Sequence, residues 1–216
     1  MTDRRRFYEG LRIKHWKNYN SVKMYNKSGS ILRIETTINN TRDFKVFRHP
    51  DDDKSRAASW QRMRKGVSDL YRRCELSDKC NDRYGDALAS AQVEEKLKEI
   101  LTPACNRIRK TGKSYRGLNP WQDEDYKLLM FLAKGEHAIN GLRNKDLRQW
   151  LYGNAEGQRK YSGRAGRLIK LLRVHGLVKK VGKENRYMLT GQGQTLSNAL
   201  MVASAVDIKG LMKIAA

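Results

Sequence analysis

One segment near the end of the chain constrains the fold most, because its apolar residues recur at intervals of three and four. Within residues 162–175 they are Ala165, Leu168, Ile169, Leu171, Leu172 and His175. This spacing is typical of one face of an α-helix, and the cations between them fall on the opposite side. We predict a helix that Ser162 caps and Gly176 ends, with His175 packed inward rather than serving as a ligand or base.

Two short β-rich runs follow this helix, at 177–181 and 186–189, and the turn-like residues 182–185 separate them. This order predicts a β-hairpin directly after the helix. Residues 159–186 hold ten Lys and Arg but only one acidic residue, so their net charge is +9. A cationic helix and hairpin are two elements that can enter adjacent grooves of a duplex.

Two further helices are expected before this segment. Asn119 and Pro120 suit a helix start, because Asn is a good cap and Pro is tolerated at the first helical position. The acidic residues 123–125 would then lie at the positive end of the helix dipole. Asn144 is expected to cap a second helix over residues 145–152, with its leucines facing inward.

The whole chain is strongly basic, with 45 Lys and Arg against 23 Asp and Glu and a net charge of +22. Residues 1–118 carry +13 and residues 119–216 carry +9, so neither half is a neutral domain with a basic tail. This balance favours a polyanionic partner, with nucleic acid ahead of a membrane. No apolar run is long enough for a transmembrane helix, and the basic N-terminus leads into no signal-like stretch. We expect a cytoplasmic protein.

The first half of the chain reads as strands followed by helices. Residues 11–48 predict strands, with a hairpin turn at 26–29 and alternation of side chains over 31–38. Apolar spacing from Trp60 to Cys74 predicts that helices begin near residue 58 and continue to about residue 100. Residues 101–118 hold five cations and no acidic residue. That segment is either a solvated linker or a phosphate contact.

The helix and hairpin carry a family resemblance. Residues 163–181, 185–190 and Gly193 form a leucine-rich helix, Gly-Leu-Val, a basic hairpin, Tyr-x-Leu-Thr and a glycine. This pattern resembles winged helix-turn-helix proteins, especially bacterial regulators of the MarR type. The resemblance implies a recognition helix at about 162–175 in the major groove and a wing at about 182–186 on the backbone or minor groove. A last helix, from about 195 to 205, would pack beneath or form a dimer interface.

The resulting fold class is α+β and mostly helical. A β-hairpin or sheet with helices would occupy residues 1–118, and a winged helix-turn-helix domain residues 119–216. The expected partner is DNA, in a regulatory or mobile-element setting, and no metal or cofactor is expected. The predicted contact residues are Arg159, Lys160, Ser162, Arg164, Arg167, Lys170, Arg173, Lys179, Lys180, Lys183 and Arg186.

The whole chain is also similar to the C-terminal part of an uncharacterised bacterial protein family. The carriers are residues 10–15, 20–25, 32–39 and 139–148. This resemblance implies that an N-terminal portion is missing and that the first sheet is incomplete. It implies no particular activity.

Two alternatives remain open. One is an RNA-binding or RNA-processing component that stacks bases on a sheet bearing Tyr19, Tyr25, Phe44 and Phe47. The other is a nuclease or replication initiator, because residues 22–27 and 32–35 are similar to a strand pair of such initiators. The chain lacks their paired histidines, so its active site would lie in a missing portion, and we favour a non-enzymatic protein. Lys23, Arg33 and Glu35 form either a phosphate-binding face or, as we favour, a cross-strand charge pair.

Overall fold

The structure is a computed structural model that describes residues 2–7, 10–27, 29–90, 95–153, 158–182 and 184–205. It is an α+β protein in which an N-terminal antiparallel sheet is followed by helices. The chain forms two compact units, and each is described by itself. The first comprises Met1–Asp86 with Ala138–Asn140, and the second comprises Ala87–His137 with Gly141–Ala216.

The first unit begins with a meander of four antiparallel strands in the order β1-β2-β3-β4. The strands are β1 (Thr2–Phe7), β2 (Gly10–Lys17), β3 (Asn20–Lys27) and β4 (Ile31–Ile38). A separate hairpin and a helix follow, namely β5 (Lys45–Arg48), β6 (Ser59–Arg62) and α1 (Leu70–Ala89). The predicted strands and the turn near residue 29 are therefore present.

One face of the meander is covered by α1. Val22 on β3 is completely buried, and it packs with Cys80 and Tyr84 of α1 and with Ile139. The Tyr84 hydroxyl lies 3.0 Å from Nε2 of the buried His15. A short sheet needs such a partner because its apolar face cannot otherwise leave water. The helix is thus what stabilises the sheet.

The polar triplet on β3 and β4 forms a cross-strand charge pair. Lys23 lies opposite Glu35, with 2.6 Å between Nζ and Oε2, and Arg33 Nε lies 2.7 Å from Oε1 of the same carboxylate. The hydrogen bond from Lys23 is the largest cause that lowers the pKa of Glu35. These charges neutralise one another, so the triplet forms the cross-strand charge pair that the sequence analysis favoured over a phosphate-binding face.

The expected start of the helical region near residue 58 is wrong. Residues 59–62 form β6, and α1 begins only at Leu70. Of the apolar residues whose spacing indicated a helix, Met63 is buried with Ile38 and Phe44, whereas Trp60 is exposed. Met63 is positioned by a backbone bond to the carbonyl of Phe44, so strand pairing determines which residue faces the core.

The second unit contains helices and two short hairpins. Its first elements are α2 (Leu97–Cys105), β7 (Ile108–Lys110), β8 (Lys113–Tyr115) and α3 (Asp123–Leu132). The short helix α4 (His137–Asn140) contributes only His137 to this unit. The remaining elements are α5 (Asn144–Tyr152), α6 (Gln158–Val174), β9 (Val178–Lys180), β10 (Tyr187–Leu189) and α7 (Gly191–Ala205).

A single hydrophobic core runs through this unit. Ile100 and Ala104 of α2 share it with Leu128 of α3, Leu172 of α6 and Leu196 of α7. The two units therefore divide after Asp86, whereas the sequence pattern places a boundary after residue 118. Burial of α2 in the second core is the physical reason for the difference.

Two predicted helix starts are displaced. Helix α3 begins at Asp123 rather than at Pro120, because the Asn119 side chain accepts the Trp121 N–H at 3.1 Å and closes a turn first. Helix α5 includes Asn144, and its first turn is closed by Asp146, whose carboxylate accepts the Arg143 N–H at 3.0 Å. Carboxylates at helix starts are favourable for the same dipole reason in both cases.

The hairpin β9–β10 is joined by one residue from the segment before α5. Leu142 exchanges both backbone hydrogen bonds with Tyr187, at 2.8 and 2.9 Å. The preceding Gly141 has φ +65° and ψ −161°, a conformation that is essentially restricted to glycine. A Cβ there would lie 2.3 Å from the Tyr187 carbonyl oxygen. The approach of this segment to the hairpin therefore depends on glycine.

We expect Gly141→Ala to lower the free energy of unfolding by about 3 kcal/mol, from backbone strain and the clash with Tyr187. Gly112→Ala is the matched control. Gly112 also has positive φ (+69°), but no residue that the structure describes has an atom within 4 Å of its Cβ position, so we expect a loss of about 1 kcal/mol. Urea unfolding followed by circular dichroism measures both. Equal losses would show that the close approach at Gly141 contributes nothing.

Candidate nucleic-acid interface

Helix α6 presents cations on the side opposite its core face. Ala165 and Leu172 are completely buried, as the apolar period predicts. Four exposed cations follow one another at intervals of three residues, namely Arg164, Arg167, Lys170 and Arg173. In an α-helix each such step turns by about 60°, so the four form a ridge that winds around the exposed side. Lys160 is also exposed, one turn before this ridge.

Ser162 does not cap α6, and this expectation is wrong. The helix begins at Gln158, so Ser162 lies inside it. Its hydroxyl lies 3.2 Å from Asn144 Oδ1, and its carbonyl accepts a hydrogen bond from Asn144 Nδ2 at 2.9 Å. The pair joins the start of α5 to α6. Ser162 therefore has a structural contact in place of the expected helix-end position.

Arg164 is held by groups of its own unit. Its guanidinium lies 2.8 Å from Glu124 Oε1 and 5.7 Å from the centre of the Tyr152 ring. Tyr152 in turn stacks on Tyr161, with 4.6 Å between ring centres. The hydrogen bond to Glu124 is the largest cause that raises the pKa of Arg164. Arg164 thus lies in the ridge, but its charge is already balanced by a carboxylate.

The β9–β10 hairpin adds two exposed lysines next to α6. Lys179 and Lys180 lie on β9, opposite Met188 and Tyr187. Arg186 differs from them, because its side chain is only 14% exposed and its Nε lies 2.9 Å from Glu184 Oε2. We therefore assign Arg186 to the hairpin turn. Two further predicted contacts, the side chain of Arg159 and all of Lys183, lie outside the described residues.

Six predicted contact residues remain exposed, and no ion pair links them to any residue that the structure describes. They are Lys160, Arg167, Lys170, Arg173, Lys179 and Lys180. Lys170 also lies over an aromatic ring, with its Nζ 5.6 Å from the centre of Tyr115. Exposed cations without a carboxylate partner keep their full charge for an external anion, so these six residues define the cationic site.

The basic segment 101–118, which the sequence left as a linker or phosphate contact, contains the end of α2 and then the hairpin β7–β8 beside α6. Strands β7 and β8 pair through a turn at Thr111 and Gly112, which both have positive φ. Five cations of this segment are exposed; Arg116 pairs with Asp125, and the other four are Arg107, Arg109, Lys110 and Lys113. The contact between Lys170 and Tyr115 connects the hairpin to α6. The sequence left a phosphate contact open for these four cations, as part of an acid-free basic run, without naming them among the eleven predicted contact residues.

A buried carboxylate fixes the hairpin and two helices. Asp125 of α3 is completely buried and accepts both guanidinium nitrogens of Arg116, at 2.5 and 2.7 Å, and the N–H of Asn119 at 2.8 Å. These bonds raise the pKa of Arg116. The Arg116 carbonyl accepts a hydrogen bond from Nε2 of the buried His175, just beyond α6, at 2.9 Å. His175 is thus packed as expected.

The described residues include no group of three or more His, Cys, Asp or Glu side chains placed to hold a metal ion. Within the same residues, no helix is both long and apolar enough to cross a membrane.

Phe44, one of the aromatic residues suggested for base stacking, is buried. It is therefore not available to a ligand.

Comparison with known proteins gives no assignment, because no family model, curated protein or solved structure matches this chain. The site must therefore be interpreted from its own chemistry. That chemistry consists of exposed cations on a helix and on two hairpins, held by one hydrophobic core and one buried carboxylate.

We expect Asp125→Asn to lower the free energy of unfolding by about 2 kcal/mol, because it weakens three hydrogen bonds to a buried group. Asp123→Asn is the control. Asp123 lies two residues away on the same helix, is exposed, and pairs with the exposed Lys127, so its loss should cost well under about 1 kcal/mol. Urea unfolding measures both, and a control as damaging as Asp125→Asn would contradict the assignment.

Proposed function

We propose that this chain binds double-stranded DNA through a winged helix-turn-helix in which α6 is the recognition helix and β9–β10 is the wing. The observation that carries the proposal is the set of six exposed cations without ion-pair partners among the described residues, which lie on a helix and on the hairpin that follows it. Such a surface attracts a polyanion, and its shape suits a duplex.

The order of elements supports this proposal. Helices α3, α5 and α6 precede the hairpin, and Leu142 pairs with Tyr187 as a one-residue third strand at the turn end of β10. The side chain of Asn144 joins α5 to α6 near the start of the second helix. In helix-turn-helix proteins the second helix enters the major groove and the first crosses the backbone.

The exposed cations divide into two roles in this proposal. Arg167, Lys170 and Arg173 on α6 face the base edges of the major groove, where Arg and Lys pair with guanine. Lys160, Lys179 and Lys180 neutralise phosphates and so supply affinity independent of sequence. Arg164 and Arg186 position the helix and the hairpin through Glu124 and Glu184.

The form of the duplex favours DNA over RNA. The major groove of B-form DNA admits an α-helix, whereas that of A-form RNA is too deep and narrow for side chains to read. A site whose cations lie along a helix is therefore better suited to DNA. Hairpin β7–β8, with four exposed cations beside α6, would contact the phosphates next to the recognised groove.

We expect Arg167→Ala combined with Lys170→Ala to weaken duplex binding at physiological salt, with a dissociation constant at least about 30-fold higher. Fluorescence anisotropy with a labelled duplex measures it. Lys96→Ala with Lys98→Ala, which removes the same charge around α2, is the control and should change affinity little. A double variant on α6 that binds as tightly as the parent would refute the proposal.

Hairpin β7–β8 gives a separate prediction. Arg109→Thr with Lys113→Thr removes two cations and replaces them with a residue that is favourable in strands. The slope of log K against log salt should fall in magnitude by about 1.8, since each phosphate contact contributes about 0.9. Preference among duplex sequences should not change, because phosphate contacts carry no base information. An unaltered salt slope would show that this hairpin lies away from the DNA.

A further inference from the structure

The hairpin β5–β6 of the first unit has one face that is exposed along its whole length. Lys45 and Phe47 on β5 and Trp60 and Arg62 on β6 are all exposed, whereas Val46 and Gln61 between them are partly buried. Side chains alternate between the two faces of a strand, so these four share one face. That face therefore consists of two aromatic rings and two cations.

The aromatic rings form a cross-strand pair that remains open to solvent. Phe47 lies opposite Trp60, with ring centres 5.6 Å apart at 66°, and each residue is 58% exposed. The guanidinium of Arg72 lies 5.5 Å from the centre of the Trp60 ring and is held by the carbonyl of Lys45 at 3.0 Å. The rings are thus fixed in place while more than half of each stays in water.

A cation lies beside the rings on the same face. Arg62 follows Trp60 by two residues on β6 and is exposed, and no ion pair links its guanidinium to any residue that the structure describes. Lys45, its partner across the hairpin, gives this face a second positive charge. A negatively charged ligand is therefore favoured here.

We propose that this face of β5–β6 binds unpaired nucleotides, with bases stacking on Phe47 and Trp60 and phosphates bound by Arg62. Rigid aromatic rings flanked by cations match the two chemical parts of a single strand, the π-face of a base and its charged backbone. A duplex hides its base faces by stacking and so cannot use the rings. The site lies in the first unit and is independent of the duplex site on α6.

The test measures binding of the full chain to labelled dT12 and rU12 by fluorescence anisotropy. Phe47→Leu with Trp60→Leu should weaken binding of single strands by tenfold or more, because each stacked base contributes substantially to affinity. Phe47→Tyr with Trp60→Phe keeps the rings and should bind like the parent. Trp121→Leu is the control, since it removes an exposed tryptophan from the other unit. Affinity for a duplex should be the same in all variants.

Each outcome is decisive. Loss of binding that aromatic residues restore supports the site, and the dT12 and rU12 arms show whether it takes DNA, RNA or both. A parent chain that binds neither oligonucleotide overturns the proposal. Binding by the leucine variant that equals binding by the parent also overturns it. Equal loss of binding in the leucine and aromatic variants overturns it too, because the substitutions would then act by disturbing the packing of the hairpin. Arg62→Gln should lower the salt slope for single strands by about 0.7.

Discussion

The buried carboxylate of Asp125 is the interaction on which the second unit depends. It joins the start of α3 to the residue after β8 through Arg116, and the Arg116 carbonyl in turn fixes His175 just beyond α6. A buried charge is costly unless it is paired and hydrogen-bonded, and here two guanidinium nitrogens and a backbone N–H donate to the carboxylate. The orientation of the cationic helix and of its neighbouring hairpin thus follows from one well-bonded group.

The sequence pattern predicts those elements of the fold that depend on interactions between residues close together in the chain. The core face of α6 was predictable because its leucines follow the helical period without interruption, and the hairpin after it because turn residues separate two β-rich runs. The start of α6 was not predictable. Serine is a common helix cap, and the sequence around Ser162 does not show that its hydroxyl bonds to Asn144, 18 residues earlier in the chain. Trp60 likewise fits a helical spacing, but pairing of β6 with β5 places it on a strand.

The candidate site was predictable in its location and only partly in its members. A run of cations on one side of a helix marks an exposed surface, whatever the fold. Which of those cations is already neutralised depends on tertiary structure, since Arg164 meets a carboxylate from α3, 40 residues earlier in the chain. The pair of Arg186 and Glu184 is local and could have been read from the sequence. The hairpin that turns at Thr111 and Gly112 was not predicted, because the cations around this turn were interpreted only as a charged segment.

The one-residue bridge at Leu142 has a mechanical consequence for the β9–β10 hairpin. Tyr187 and Lys180 are the last pair of the β9–β10 ladder before the turn, and Tyr187 also exchanges two backbone hydrogen bonds with Leu142 on its other edge. The hairpin is therefore braced near its turn rather than at its far end. Bending it there would break two backbone hydrogen bonds or move the segment that leads into α5.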